Sequence, residues 1–358
     1  MHQSPSPNRK ETLKKRTARK LKKMETIGVG VIGCGGMGRS LATSADAVEG
    51  IEVISVSDVQ EALAEKLATD LGTSYTLDYH ELLGDDRIRA VLIASPPFMH
   101  SPMAVDAANA GKHVFSEKPM APTLEACDAM IAAAEENGVK LTIGLVCRYH
   151  GTHSVVRDIV QSGELGAPAC MMVHRIGGPW RSGYSHTPWR LERAKSGGTL
   201  MEINAHEIDF MRWTCGDVTA VYAAGGQYGP DGSDYPDVVL ASLQFANGAV
   251  GLLHSSHVSA VGGYGGRVDC EGGSIYFPQI WGGDAAIQIK PFEGEGRQIK
   301  VADIEVPPPV QEEIRVFVDA IHNDTSPPIT GLDGRAAAEI ALAAYQSVES
   351  GQPVPLPL

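Results

Sequence analysis

The feature of this sequence that most constrains its fold is a glycine-rich turn at Gly33–Gly38, with the residues G-C-G-G-M-G. An apolar segment, Ile27–Ile32, precedes the turn, and apolar residues recur at helical spacing after it. A strand, a glycine turn and a helix in this order are the context in which G-x-G-x-x-G indicates dinucleotide binding. The first glycine permits the tight turn, the second lets the backbone approach a pyrophosphate, and the third lets the helix pack on the strand. The diphosphate would then lie at the helix N-terminus, where free N–H groups favour an anion.

A second apolar segment, Ile51–Ser57, ends at Asp58, about twenty residues after the last glycine. An acid at this place is expected to accept hydrogen bonds from the adenosine ribose. A 2′-phosphate there would meet its carboxylate, and the next residues, V-Q-E, supply no cation to offset the repulsion. The sequence therefore predicts NAD as the cofactor, with NADP less favoured. An overlapping match that begins at Gly28 lies inside the first apolar segment, and we reject it.

The length and composition are those of an ordinary globular protein. A chain of 358 residues exceeds one typical hydrophobic core, so we expect two domains. Hydrophobic residues make up 43% and charged residues 20%, and no apolar run approaches the roughly 18 residues that a membrane span requires. The six cysteines form no C-x-x-C pair, which favours reduced thiols in a cytoplasmic protein over a disulfide framework.

Charge is divided unevenly between the N-terminal tail and the rest of the chain. Residues 1–23 carry nine Lys/Arg and one acid, whereas the remainder carries 21 basic and 42 acidic residues. We expect the tail to be disordered, with contact to nucleic acid or an anionic surface as the alternative. It has no apolar segment of a secretory signal, and Met24 is a candidate start. The acidic body argues against nucleic acid as the main partner, and we expect no membrane partner.

Apolar strands and helices alternate from residue 27 to residue 146. This alternation predicts an α/β fold with a doubly wound parallel sheet, a Rossmann domain, over residues 24–148. After it the pattern changes to long, partly alternating strands, with Asn247-Gly248 as a hairpin signal. We therefore expect a C-terminal α+β domain with a large, mainly antiparallel open sheet over residues 149–358. Its expected elements include one helix at 199–215 and single strands at 266–276 and 298–306.

Two groups of residues could carry acid–base chemistry. Glu117-Lys118 follows a predicted parallel strand, at the sheet edge where open α/β folds bind ligands. A lysine there, near a cationic nicotinamide, can act as acid or base, and a solvated surface lysine is the alternative. Glu202, His206 and Asp209 are spaced to share one helical face, so a carboxylate could orient the imidazole. Glu202 could instead close a capping box with Thr199, and the histidine could be a satisfied core residue.

The segment 179–195 is rich in aromatic and guanidinium side chains, including Trp180, Trp189 and Arg190. Such side chains suit a hydroxylated ligand and suit a subunit interface equally, so both interpretations stay open. No metal site is expected, because His254 and His257 are three apart in a predicted strand and so point to opposite faces.

Together these motifs resemble the glucose–fructose oxidoreductase / inositol dehydrogenase / rhizopine-catabolism (Gfo/Idh/MocA) family over residues 27–358. The segments that carry the resemblance are the glycine turn, Ser95-Pro96-Pro97 with His100, Ala110–Val114 leading to Glu117-Lys118-Pro119, Arg148-Tyr149, Gly197-Gly198 through His206 to Asp209, and Asp333–Leu358. The resemblance implies a nicotinamide-dependent oxidoreductase of sugars or inositol-like cyclic polyols. It also implies a Rossmann domain followed by a domain whose open sheet commonly makes homodimers or homotetramers.

The resemblance assigns roles to individual residues. Lys118 and His206 match the proton-handling pair, either of which would take the proton from a substrate hydroxyl. Glu202 lies where the family most often has Asp, a departure that moves a carboxylate by one methylene, and Asp209 matches a later acid. The residues expected to bind the cofactor are Gly33, Gly35, Gly36, Met37, Gly38, Asp58, Ser95, Pro96, His100, Glu117 and Lys118. The residues expected near the substrate are Arg148, Tyr149, Trp180, Trp189 and Arg190.

Two other functions compete with reversible dehydrogenation. One is redox-neutral cleavage or isomerisation of a glycoside, in which tightly held NAD oxidises and then re-reduces the substrate. The other is a non-catalytic sensor that uses the fold to bind a nucleotide or sugar. The presence of both Lys118 and His206 argues against a sensor, which needs no proton-handling pair.

Overall fold

The computed structural model describes residues 25–178, 187–229 and 232–358, and their strands form two sheets. The strands are β1 (Ile27–Ile32), β2 (Ile51–Ser57), β3 (Ser74–Thr76), β4 (Ile88–Ile93), β5 (His113–Glu117), β6 (Leu141–Gly144), β7 (Pro168–Ile176), β8 (Val218–Gly226), β9 (Val238–Phe245), β10 (Val250–Ser256), β11 (Gly263–Cys270), β12 (Gly273–Phe277), β13 (Ala286–Pro291), β14 (Arg297–Lys300) and β15 (Val354–Pro355). The helices are α1 (Gly36–Asp46), α2 (Glu61–Leu71), α3 (Tyr79–Leu83), α4 (Pro97–Asn109), α5 (Leu124–Glu136), α6 (Gly151–Ser162), α7 (Arg193–Ser196), α8 (Thr199–Glu202), α9 (Ala205–Cys215), α10 (Pro309–Asn323) and α11 (Gly331–Ser350).

The first sheet is parallel, with the strand order β3-β2-β1-β4-β5-β6. Strand β1 is buried along its whole length because helices cover both faces of the sheet. The strand order reverses between β1 and β4, and open α/β sheets bind their ligands at such a switch point. The predicted doubly wound Rossmann sheet is therefore confirmed. The short edge strand β3 was not predicted from the sequence.

Helix α10 returns to this first sheet although it lies near the end of the chain. Ile314, Phe317 and Val318 belong to the buried cluster that covers one face of β1. The Phe317 ring meets Phe115 of β5 edge to face, with 5.9 Å between the centroids. A residue on α10 can therefore reach the underside of the β5 terminus. The domain division at 148/149 stays a prediction.

The second sheet contains nine strands in the order β14-β13-β12-β11-β7-β10-β9-β8-β15. Its neighbouring strands pair antiparallel except β7 and β10, which pair parallel, so the predicted mainly antiparallel sheet is confirmed. Helices α9 and α11 pack on one face. The strands alternate between buried residues and exposed ones, as in β9, where Val239 is buried and Leu240 is exposed.

The prediction of one continuous helix over 199–215 is wrong, because a turn at Ile203-Asn204 separates α8 from α9, and Asn204 has a non-helical ψ of 4°. Asn204 is fully buried; its amide donates to Glu207 Oε2 at 2.9 Å, and its Oδ1 accepts from Ser255 Oγ at 2.6 Å. A buried amide needs partners at both polar ends, and an Asn side chain competes with the helical backbone. Glu202 therefore lies in a different helix from His206.

Two strand predictions are also wrong in extent. The segment 266–276 is a hairpin of β11 and β12, and not one strand. In the turn of this hairpin, the N–H groups of Glu271 and Gly272 donate to the carbonyl oxygens of residues 167 and 165, so they take no part in strand pairing. The strand predicted at 298–306 ends at Lys300, and a short 3-10 turn follows at Val301–Asp303.

Candidate active site

A cleft of about 240 Å³ opens at the carboxyl ends of β1, β4 and β5. Its walls come from the start of α1, from the residues after β4 and β5, and from the segments around α8 in the second half of the chain. The described residues that line it are Gly36, Met37, Ala94, Ser95, Pro96, Pro97, Glu117, Lys118, Trp189, Arg190 and Glu202. The fold thus brings predicted cofactor residues and predicted substrate residues into one cavity.

The glycine turn has the geometry that a bound diphosphate requires. Gly33 has φ +96°, and a Cβ there would lie 2.7 Å from the Ala94 carbonyl oxygen. A Cβ on Gly38 would lie 1.7 Å from the carbonyl oxygen of Gly33, so only glycine lets α1 pack this closely. In contrast, a Cβ on Gly35 or Gly36 would meet no described atom within 4 Å. Helix α1 has no side-chain cap and no acid in its first turn, so its first N–H groups are left for an anion.

Asp58 lies beside this turn in a second cavity of about 340 Å³. Its Oδ2 accepts a hydrogen bond from the Cys34 N–H at 2.8 Å, and its Oδ1 accepts one from the Gln60 N–H at 2.8 Å. These bonds fix the carboxylate while leaving acceptor capacity for ribose hydroxyls. Apolar side chains, among them Leu77 and Phe98, line the same cavity and suit the faces of an adenine ring.

Arg39, in the first turns of α1, is a cation that could approach a phosphate on the adenosine ribose. Its Nη1 instead lies 2.7 Å from Asp70 Oδ2, and Lys66 Nζ lies 3.1 Å from the same oxygen. These exposed pairs contribute little stability. They do direct the guanidinium toward α2.

His100, predicted to bind the cofactor, lies beneath the cleft and not in its wall. The ring is buried, with Nδ1 2.8 Å from the Pro119 carbonyl oxygen and Nε2 2.8 Å from the Ser95 carbonyl oxygen. Burial lowers the pKa of His100. The imidazole packs between the loops that carry Ser95-Pro96 and Lys118, and in its neutral form it donates to one of the two carbonyl oxygens. It can therefore act on the cofactor site by positioning these loops.

Lys118 and Glu202 meet across the cleft. The Lys118 Nζ donates to the backbone carbonyl oxygen of Glu202 at 2.5 Å, and the Glu202 Oε1 accepts from Arg190 Nε at 2.9 Å. The alternative in which Glu202 closes a capping box with Thr199 is therefore wrong, since α8 has no side-chain cap. The Arg190 guanidinium also lies 4.6 Å from the centroid of the Trp189 ring. A lysine ammonium, a carboxylate, a guanidinium and an indole thus line one cavity, which suits a polyhydroxylated ligand.

Glu117, next to Lys118, is buried at the end of β5. One of its carboxylate oxygens accepts the Lys118 backbone N–H at 3.1 Å. Burial raises the pKa of Glu117 to about 7, although the positive charge of Lys118 acts to lower it. Glu117 is nevertheless one of the residues that line the cleft, as expected of a residue near the nicotinamide.

His206 lies at the start of α9. Burial and the positive charge of Lys118 lower the pKa of His206 well below its usual range, with Arg175 adding to the effect. Its Nδ1 has no hydrogen-bond partner among the described residues. Burial therefore favours the unprotonated imidazole, and its Nδ1 is a buried nitrogen that no described residue satisfies.

Arg148 and Asp209 contact each other and not the cleft. Arg148 Nε lies 2.8 Å from Asp209 Oδ2, and Arg148 Nη2 lies 2.6 Å from Oδ1, a bidentate pair. The same Nη2 lies 2.9 Å from Asp333 Oδ1. Tyr149 is partly buried against the hydrophobic core. Neither the predicted catalytic role of Asp209 nor the predicted substrate role of Arg148 has support from these contacts. Trp180 lies outside the described residues.

A partly buried polar network beside His206 was missed from the sequence. Arg175 Nη1 lies 3.1 Å from Glu207 Oε1, and the guanidinium lies 4.6 Å from the centroid of the Tyr264 ring. His153 Nε2 lies 2.9 Å from the Tyr264 hydroxyl. These residues come from β7, α9, β11 and α6, which no local spacing connects. The one usable signal was the place of Glu207 directly after His206.

In residues 25–178, 187–229 and 232–358, no three His, Cys, Asp or Glu side chains come together in a way that could hold a metal ion. Over the same ranges, no helix combines the length and apolar character needed to cross a membrane.

The sequence and the fold both match known proteins. Residues 27–145 match the family model described as an oxidoreductase family with an NAD-binding Rossmann fold, and residues 153–276 match the Gfo/Idh/MocA C-terminal domain. The chain is 32% identical to the uncharacterized oxidoreductase YrbE of Bacillus subtilis, over 92% of this chain and 96% of that one. It is 27% identical to the myo-inositol 2-dehydrogenase of Thermotoga maritima, over 92% and 98%. The solved structure of a levoglucosan dehydrogenase with NADH and levoglucosan superposes with a TM-score of 0.83 at 24% identity, covering 93% of this chain and 100% of that one. With the glycine cradle and Asp58 in place for the dinucleotide, the chain belongs to the Gfo/Idh/MocA family of NAD-binding oxidoreductases.

Proposed function

We propose that this oxidoreductase oxidises a secondary hydroxyl of a sugar or inositol-like cyclic polyol, reversibly and with NAD. The observation that carries the proposal is the cleft that Lys118 lines together with Glu117 and the glycine turn. His206 is not among the residues that line this cleft, but it lies within range of the Lys118 charge. Relatives named for inositol and levoglucosan dehydrogenation support a substrate with several ring hydroxyls. The polar lining from Glu202 and Arg190 supports it as well.

In this mechanism the bound nicotinamide supplies the hydride acceptor. His206 takes the hydroxyl proton, because its imidazole is held in the neutral form. Lys118 donates a hydrogen bond to the same oxygen and stabilises the negative charge that develops there. Arg190 and Glu202, bonded to each other at 2.9 Å, orient the remaining hydroxyls, and Trp189 offers a ring face to the carbon skeleton.

A panel of inositols, aldoses and anhydrosugars, followed by the absorbance of the reduced nicotinamide, tests this function. Lys118→Ala and His206→Ala should each lower turnover by about 100-fold or more while NADH binding, measured by fluorescence, stays close to normal. Lys66→Ala, at an exposed lysine, is the matched control and should leave both unchanged. Near-normal turnover in either active-site variant would remove that residue from the mechanism. Turnover that needs no added NAD would favour the redox-neutral alternative.

We propose further that the chain forms a homodimer or homotetramer through the open face of the second sheet. That face carries exposed apolar side chains on five strands, namely Met172, Tyr222, Leu240, Val250 and Tyr276. Large exposed apolar patches mark interaction sites. Leu240→Glu should shift the mass measured by light scattering toward the monomer, and an unchanged mass would exclude this surface.

We propose a cytoplasmic location. All six cysteines are free thiols, which suits a reducing compartment. Fractionation of the native host tests this location, and recovery of the protein in the membrane or secreted fraction would contradict it.

A further inference from the structure

Two carboxyl groups are buried together behind Lys118, and the mechanism above uses only the residues on the cleft side of them. Glu117 at the end of β5 is 6% exposed, and Glu313 on α10 is 1% exposed. Because α10 packs against β5, both groups are buried where these two elements come together, although they lie far apart in the sequence. The charge of Glu117 acts directly on the ionisation of Glu313.

Neither carboxyl group has a cation bonded to it. Both oxygens of Glu313 lack a hydrogen-bond partner among the described residues. Glu117 accepts only the Lys118 backbone N–H among the contacts described, and its carboxyl group lies against Gly144, where a Cβ would sit 3.2 Å away. The Lys118 ammonium is directed to the Glu202 carbonyl oxygen, 2.5 Å away. Two buried carboxylates without a bonded cation cannot both stay ionised.

The surroundings decide which group holds the proton. The charged groups that act on Glu117 are Lys118, which favours its ionised form, and Glu202, which opposes it. Glu313 is acted on only by the negative charge of Glu117 among the described groups, and Tyr149 is the other titratable neighbour. Glu313 is therefore the protonated member. Glu117 is the member that can change, and it alone lines the cleft that receives the nicotinamide.

We propose that Glu117 and Glu313 form a proton-holding pair that responds to the charge of the nicotinamide. Glu313 keeps its proton throughout, whereas Glu117 gives up a proton to solvent when the cationic oxidised cofactor binds and holds one when the neutral reduced cofactor is bound. No bond other than the carboxyl O–H forms or breaks. The negative charge that Glu117 gains when its proton leaves is balanced by the positive charge of the oxidised nicotinamide ring. The inference depends on NAD binding and not on the identity of the substrate.

Isothermal titration calorimetry in phosphate and in Tris, whose ionisation enthalpies differ, counts the protons exchanged on binding. NAD⁺ and NADH share their phosphates and adenosine, so the difference between their proton counts isolates the ring charge. Near pH 7 a group that titrates near neutrality is half protonated, so the titration should show about half a proton released with NAD⁺ and about half a proton taken up with NADH. Equal proton counts for the two cofactors would overturn the proposal.

Two matched variants assign the proton. Glu117→Gln should abolish the difference between the cofactors, because it removes the group that titrates. Glu313→Gln should preserve the difference, because the amide replaces a carboxyl group that is already neutral. The reverse pattern would show the assignment to be wrong. If Glu117→Gln does not fold, infrared difference spectra of the unaltered chain give the answer: the carbonyl band of a protonated carboxyl group should weaken with NAD⁺ relative to NADH, and an unchanged band would refute the pair.

Discussion

Replacing Asp58 and Val59 together should move the cofactor preference from NAD toward NADP. Two unit charges about 4 Å apart repel by about 4 kcal/mol at the effective dielectric of a protein surface. The site is open to solvent, since the Val59 side chain next to Asp58 is 85% exposed. Solvent and salt reduce the repulsion with a 2′-phosphate to about 1.4–2.8 kcal/mol, which is a tenfold to hundredfold preference for NAD. Arg39 is paired with Asp70, with 2.7 Å between Nη1 and Oδ2, so a 2′-phosphate would compete with that carboxylate for the guanidinium.

The measurement is kcat/KM for NAD and NADP with any accepted polyol, together with the affinities for NADH and NADPH from fluorescence. Asp58→Ala combined with Val59→Arg removes the repulsion and adds a cation, so the preference should narrow or reverse. The double variant also loses the acceptor for the Cys34 and Gln60 N–H groups, so affinity for both cofactors should fall. The ratio between the cofactors is therefore the decisive quantity.

Val59→Arg alone is the matched control, because it keeps the Asp58 carboxylate and both of its hydrogen bonds. Val59→Arg alone should lower the ratio of kcat/KM for NAD to kcat/KM for NADP, but by less than the double variant lowers it. Equal kcat/KM values for NAD and NADP in the unaltered chain would refute the reasoning from Asp58. So would a double variant whose preference is unchanged.

Three further predictions follow from the same structure. Because His206 is held unprotonated, kcat at saturating substrate and cofactor should show no histidine titration near pH 6.5; a loss of activity centred there that persists in Glu117→Gln would contradict this role. Asp209→Asn breaks a buried bidentate pair with Arg148 and should lower the free energy of unfolding in urea by about 3 kcal/mol. Asp70→Asn, which breaks an exposed pair, should lower the free energy of unfolding by less than about 1 kcal/mol. Equal losses in the two variants would show that burial does not explain the contribution of the Arg148–Asp209 pair. A chain that starts at Met24 should fold and bind NADH normally, since residues 1–23 are polar and basic, and a loss of either property would disprove it.

Several features of this protein could be predicted from the sequence because they depend on neighbouring residues. The glycine turn is one, since Gly33 and Gly38 avoid clashes with Ala94 and with Gly33 itself, all within or directly beside the same strand–turn–helix unit. Asp58 is another, because the end of β2 lies beside that turn in any sheet of this order. Lys118 at the end of β5 follows from the same rule. The two sheets were also predictable from local patterns: apolar strands that alternate with helices in the first half of the chain, and strands of partly alternating residues in the second half.

The rest of the site was decided by tertiary contacts between distant segments. Asn204 interrupts the predicted helix because its buried amide forms hydrogen bonds with Ser255 on β10 and with Glu207 on α9. Arg148 and Asp209 form a bidentate pair because α9 brings Asp209 to Arg148, which lies just after β6. The amphipathic pattern of α10 showed that one side is buried, but only its packing on the first sheet brings Glu313 to Glu117. Sequence periodicity determines which face of an element is buried, whereas the charge and hydrogen bonds of a buried group depend on which other element covers that face.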